Sequence, residues 1–122
     1  LTSSLQKDMA FKEVQALTCD LFEAQGHKTI RQDPSAQEGY IHSIGHGVGL
    51  RVHEKPSSGA SATETDTLAA NSVFTIEPGL YYPSKGLGVR IEDSYLTNED
   101  GTFEKLGSFP YDFVIPVKGY NK

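Results

Sequence analysis

The sequence predicts an α+β fold in which one long amphipathic helix packs on a curved, mostly antiparallel sheet. Apolar residues recur at helical steps between residues 5 and 25. From residue 73 onward, short runs rich in β-branched and aromatic residues alternate with Gly, Pro and Asn turns. A chain of 122 residues is a single domain with little core to spare. A lone helix must therefore bury its stripe against that sheet.

In the helix, Ala10, Val14, Leu17 and Leu21 form the apolar stripe, while Lys7, Asp8, Lys12, Glu13 and Glu23 populate the other faces. Ser3 followed by Gln6 reads as a capping box, and Gly26 as the terminator. Pro34, Gly39, Gly45, Gly47 and Gly49 then argue for loop and turn across residues 30 to 49. A short strand is expected at 50 to 54, followed by a polar loop from Pro56 to Thr65. Further strands are expected at 73 to 77, 80 to 82, 88 to 97, 102 to 105 and 112 to 117. The segment Asn98 to Gly101 reads as a hairpin turn between two of them. There is no internal repeat.

Composition narrows the function. Sixteen acidic against eleven basic residues give a net charge of -5, and no stripe gathers the Lys and Arg, which argues against a nucleic-acid partner. No apolar run approaches the length of a membrane span, and the start carries no signal-peptide pattern. Cys19 is the one cysteine, so no internal disulfide is available. Its place in an apolar stretch suggests a buried thiol in a reducing, cytoplasmic compartment.

Three histidines, His42, His46 and His53, fall within twelve residues and are interleaved with Gly45, Gly47 and Gly49. A helix would put His42 and His46 on one face, but the glycines favour a folded loop or a bulged strand. One reading makes His46 a metal ligand with His42 and His53 in hydrogen-bonding support. The other makes all three structural residues of a glycine-rich turn. Glu77 shares a strand face with Val73 and Thr75, at an end marked by Pro78 and Gly79. Arg90 and Glu92 also share a face. A carboxylate in an apolar run is costly unless paired or metal-bound. Glu92 could thus be paired with Arg90 and Glu77 be an exposed edge residue. Alternatively, both bind a divalent metal beside His46, with Arg90 supporting them.

The segments HSIGHGVGLRVH (42 to 53, followed by Glu54-Lys55-Pro56), VFTIEPGLYYP (73 to 83) and GVRIEDSYLTNEDG (88 to 101) occur in that order. They resemble the histidine motif and the two glutamate motifs of the pita-bread metallopeptidases, which include methionine aminopeptidase, aminopeptidase P and prolidase. The HxxxHGxG form with VRIED favours the aminopeptidase P and prolidase branch. The resemblance covers essentially the whole chain, as the C-terminal half of a catalytic domain, and so implies half of a pita-bread fold.

By this resemblance His46, Glu77 and Glu92 would be metal ligands, Glu92 bridging and Glu77 also serving as general base. His53 would stabilise the tetrahedral intermediate, His42 would contact substrate near the scissile bond, and Arg90 would support the ligands. The complete enzyme would hold two divalent ions. Mn, Co, Zn or Fe fits the N/O ligand set, with Mn favoured by the resemblance. The family's two aspartate ligands have no match here, and neither Asp8 nor Asp20 takes their place.

The implied function is metal-dependent hydrolysis of the bond between an N-terminal residue and proline. The substrate would be a peptide with proline at its second position. The chain would need the missing N-terminal half and be inactive alone. The alternative is a non-catalytic pita-bread module that binds peptides or proteins, against which the retained site residues argue. An unpaired midline face also predicts self-association as a homo-oligomer, through that face or by exchange of the 5 to 25 helix.

Overall fold

A computed structural model describes residues 1–117 and Gly119. Its one α-helix, α1, spans Phe11–Ala24, so it begins later than the expected residue 5. Asp8 has φ 63° and Ala10 is extended, while Thr2–Ser4 makes a single 3-10 turn. The Ser3–Gln6 capping box does not form, because Ala10 is the N-cap and no side chain caps the helix. The Phe11 amide instead donates to the carbonyl of Asp66 at 2.7 Å. Leu5 and Ala10 are still buried, so their spacing reflected burial rather than helicity.

The far end matches expectation. Gly26 takes φ 82°, its amide donates to the Glu23 carbonyl, and the His27 amide donates to the Phe22 carbonyl. These two bonds form a Schellman motif, which needs the left-handed residue that glycine supplies. The buried face is Phe11, Val14, Thr18 and Cys19, while Leu21 is 52% exposed. The stripe is thus rotated toward Thr18 and Cys19. Burial also pushes the Cys19 thiol pKa up.

Among the described residues seven strands follow: β1 His46–Gly47, β2 Glu54–Ser57, β3 Val73–Ile76, β4 Gly79–Tyr82, β5 Leu87–Arg90, β6 Asp93–Thr97 and β7 Phe103–Lys105. A curved, open antiparallel sheet runs in the order β2-β1-β3-β6-β7, and β4 and β5 form a separate two-stranded ribbon. This is the expected α+β arrangement of half a pita-bread fold. The strand expected at 50 to 54 begins only at Glu54. Residues 112 to 117 are not a strand; they are irregular, and Phe113, Val114 and Val117 stand exposed, because strand-forming side chains without a partner strand gain nothing. The turn at Asn98 to Gly101 does form, closed by the Gly101 amide on the Asn98 carbonyl at 3.0 Å, with Gly101 at φ 87°.

The strand expected over 88 to 97 is broken into β5 and β6, with Ile91 and Glu92 outside both. Its partner breaks at the same level, since Pro78 cannot donate to a ladder. Ile76 pairs with Asp93 on one side of the gap and Gly79 with Arg90 on the other. The register is the same on both sides. Carried across the gap, it sets Glu77 opposite Glu92.

The core beneath the site is Leu5, Phe11, Val14, Ile44, Leu68, Phe74 and Ile76, with Phe11 edge-on to Phe74 at 5.5 Å. Fully burying a side chain of this size contributes about 1.5–3 kcal/mol. Among the described residues no helix is long and apolar enough to cross a membrane.

Candidate metal centre

His46 sits between two glycines because its neighbours leave room for nothing larger. A Cβ on Gly45 would lie 1.9 Å from the Thr75 carbonyl oxygen, and one on Gly47 would lie 2.0 Å from that of Lys55. Neither glycine needs a left-handed backbone; both permit close approach. Wedged between β2 and β3, His46 turns Nδ1 to the Gly47 carbonyl at 3.0 Å. A carbonyl only accepts, so Nδ1 donates here, and Nε2 is the ring nitrogen turned toward Glu77.

That Nε2 lies 3.4 Å from Glu77 Oε1. Glu77 leaves the end of β3, where its amide donates to the Ile44 carbonyl at 2.8 Å. Far from being an exposed edge residue, it is buried at 8% exposure. Across the break, Glu92 is exposed and reaches back, so that one ligand atom each from His46, Glu77 and Glu92 lies within 4.8 Å of the others. This is a candidate cluster for a divalent ion, and its donor set of one imidazole nitrogen and two carboxylates fits such an ion. Arg90 Nη1 stands 3.8 Å from Glu77 Oε2, so the arginine faces Glu77, and no ion pair with Glu92 appears among the described residues. Asp20 is engaged with Arg31 at 2.7 Å, and Asp8 is not part of the cluster.

The cluster borders an open cleft of ≈ 590 Å³ lined by His42, His46, His53, Glu77 and Arg90, together with Lys55. The exposed His53 ring lies 4.4 Å from that of His46, centroid to centroid. His42 turns Nδ1 to the Ser43 carbonyl at 2.7 Å and lies between Tyr40 and Tyr81. Its Nε2 is buried without a hydrogen-bond partner. Of the sequence-derived candidates, His42, His46, His53, Glu77 and Arg90 line this cleft, and Glu92 joins them only through the cluster with His46 and Glu77.

Other residues that shape the site were not singled out from the sequence. Gln15 of α1 clips the histidine segment: its Oε1 accepts from the Ile44 amide at 2.6 Å and the Tyr40 hydroxyl at 2.8 Å, and its Nε2 donates to the His42 carbonyl at 3.3 Å. Burial pushes the Tyr40 phenol pKa far above its ordinary value. The Thr75 hydroxyl donates to Glu77 Oε1 at 3.1 Å and accepts from the His46 amide at 3.1 Å. Its placement two residues before Glu77 on one strand face was a usable signal. Helix spacing cannot reveal what Gln15 meets.

Behind the cleft, the buried Asp66 accepts from Lys55 Nζ at 2.7 Å, the Ser57 amide at 3.0 Å, and the Thr63 amide and hydroxyl at 2.8 and 2.9 Å. Burial, the largest single influence on Asp66, would raise its pKa. The Lys55 ammonium and the amide and hydroxyl donors together outweigh burial and hold the carboxyl well below the usual range.

Comparison with known proteins places the chain in a family. The model of metallopeptidase family M24 matches residues 1–99. An uncharacterized peptidase of Bacillus subtilis is 39% identical over 111 residues, which is 91% of this chain and 28% of the relative. The prolidase from Pyrococcus furiosus superposes with a TM-score of 0.71 at 33% identity, covering 89% of this chain and 29% of that one. A Caenorhabditis elegans X-prolyl aminopeptidase, described as a cytosolic enzyme with a di-nuclear active site, gives a TM-score of 0.60 at 29% identity, covering 83% and 16%. The chain spans less than a third of the length of each of these relatives. With the family model matched over most of its length and the same architecture in the solved relatives, the chain belongs to metallopeptidase family M24.

Proposed function

We propose that residues 1 to 122 are one domain, the C-terminal half of a metallopeptidase catalytic domain that cleaves between an N-terminal residue and proline. The observation that carries this is the cluster of His46, Glu77 and Glu92, of which His46 and Glu77 line an open cleft. The prolidase and X-prolyl aminopeptidase similarities support the substrate, a peptide with proline at its second position.

His46, Glu77 and Glu92 would hold divalent metal, Glu92 bridging two ions of Mn, Co, Zn or Fe, with Mn favoured by the family resemblance. Two aspartates from an N-terminal half would complete the set, since among the described residues no other acid joins the cluster. When bound, such ions supply an activated water and polarise the scissile carbonyl. Glu77 takes the proton from the attacking water and returns it to the leaving nitrogen. His53, exposed beside His46, donates to the developing oxyanion. His42, which lines the cleft, contacts substrate near the scissile bond, and Arg90 balances the charge on Glu77.

The buried free thiol of Cys19 favours a cytoplasmic setting. Leu87 and Val89 on the β4–β5 ribbon and Ile91 just beyond it expose apolar side chains, which supports self-association of the isolated chain as a homo-oligomer. Light scattering showing only monomer at high concentration would remove that element.

The decisive experiment assays Xaa-Pro dipeptides and longer Xaa-Pro peptides with the protein carrying both halves, and with this chain alone. Metal-dependent cleavage by the former, abolished by a chelator, and none by the latter is the expected result. Robust cleavage by this chain alone would refute the half-site. Absence of metal binding, with His46→Ala changing nothing, would instead favour a peptide-binding module.

A further inference from the structure

We propose that Thr75 is a positioning residue that ties His46 and Glu77 into a single ligand pair. This rests on the metal-site reading above. Thr75 lies in β3 at 2% exposure, and a buried threonine can satisfy its hydroxyl locally, as Thr18 does on the Val14 carbonyl at 2.8 Å. The Thr75 hydroxyl serves two partners, Glu77 on its own strand and His46 on β1.

The reason lies in the backbone. β1 and β3 pair through Gly47 and Phe74, and the register of β1 against β2 shifts between His46 and Gly47. On the β3 side of β1 the His46 amide donates to Thr75 Oγ1 at 3.1 Å. A side-chain oxygen thus serves a backbone donor at the centre of the site. The same hydroxyl has one proton and two acceptors in reach, Glu77 Oε1 at 3.1 Å and the His46 carbonyl at 3.4 Å. The carboxylate is nearer and charged, so it takes the proton. One atom therefore fixes the backbone that carries one ligand and the oxygen that belongs to another.

The approach depends on Gly45, against whose missing Cβ the Thr75 carbonyl rests. Nothing in this arrangement requires a threonine methyl to contact substrate. Thr75 is therefore distinct from a residue that performs chemistry. Its effect passes through His46 and Glu77.

Thr75→Val keeps the β-branched shape and removes the hydroxyl, whereas Thr75→Ser keeps the hydroxyl. Two measurements on the protein separate the outcomes. In titrations with Mn²⁺ or Co²⁺ alone, Thr75→Val is expected to weaken binding about 10–100-fold and alter the Co²⁺ absorption spectrum, while Thr75→Ser stays near wild type. Without metal, amide exchange at His46 read by NMR should quicken in Thr75→Val and stay slow in Thr75→Ser. Unchanged affinity in Thr75→Val, where wild type binds and His46→Ala does not, would overturn the proposal. So would equal weakening in both variants, because that would indict packing. If wild type binds no metal, the metal-site reading fails by itself. Amide exchange then decides the role of Thr75, and identical His46 protection in wild type and Thr75→Val rejects it.

Discussion

Asp66 and Glu77 are both buried carboxylates, 1% and 8% exposed, yet they are surrounded differently. Asp66 receives an ammonium, two amides and a hydroxyl, which fill its oxygens with donors. Glu77 receives one hydroxyl, while an imidazole nitrogen at 3.4 Å and a guanidinium at 3.8 Å stand further off. Burying a carboxylate is costly, and full donor coordination offsets that cost. Where coordination is complete the group holds the fold; where it is incomplete beside a cleft, the group is available to a ligand. Asp66 accordingly pins β2 to the loop behind the site, and Glu77 faces the open side.

The sharpest way to break this contrast is Glu77→Gln in the protein carrying both halves. Peptidase rate should fall about 10²–10⁴-fold, as expected for loss of a general base, while urea denaturation shifts by less than about 1 kcal/mol. Strong destabilisation would make Glu77 structural after all. Asp66→Ala should do the reverse and lose about 3 kcal/mol of folding stability, because it strands the Ser57 and Thr63 donors. A two-state urea titration measures it, and a change near zero would remove the distinction.

Metal provides a third test. Divalent ion at a hundred times its dissociation constant should stabilise the wild-type fold by about 2.7 kcal/mol, read as a rise in Tm. Asp66→Ala should retain that increment, and Glu77→Gln should lose it. The smallest effect is on acid sensitivity. Asp66 has its folded-state pKa depressed below the ordinary aspartate value of 3.8. It therefore stabilises the fold above that value and loses its contribution as the pH falls toward the folded-state pKa. Acid titrations of wild type and Asp66→Ala should converge there, and parallel curves would show that the carboxylate contributes nothing.

Much of the site was legible in the sequence because its parts are local. Glycines around His46, and Pro78 after Glu77, are signals that a single segment carries. What escaped depends on partners distant in the chain. The break at Ile91 and Glu92 follows from a proline on the opposite strand, which no periodicity within 88 to 97 could register. Leu17 and Leu21 fit the helical stripe as well as Thr18 and Cys19 do, and only the packed sheet decides which part of a wide apolar arc is covered. Val114 and Val117 have strand-forming side chains, but a strand needs a neighbour. Leu5 and Ala10 are core residues in an irregular segment, which spacing alone reads as helix.

The interrupted hairpin has a mechanical consequence. Its two arms, β3 with β6 and β4 with β5, share one register but belong to separate sheets, and they join only at the level of Glu77 and Glu92. Beyond that level the outer ribbon is anchored as well, by the paired Gly39 and Tyr81 backbones, by His27 on the Tyr82 hydroxyl at 2.6 Å and by the Ser84 amide on Glu38 at 2.9 Å. The spacing of the two carboxylates is therefore held by backbone fixed on both sides of the gap.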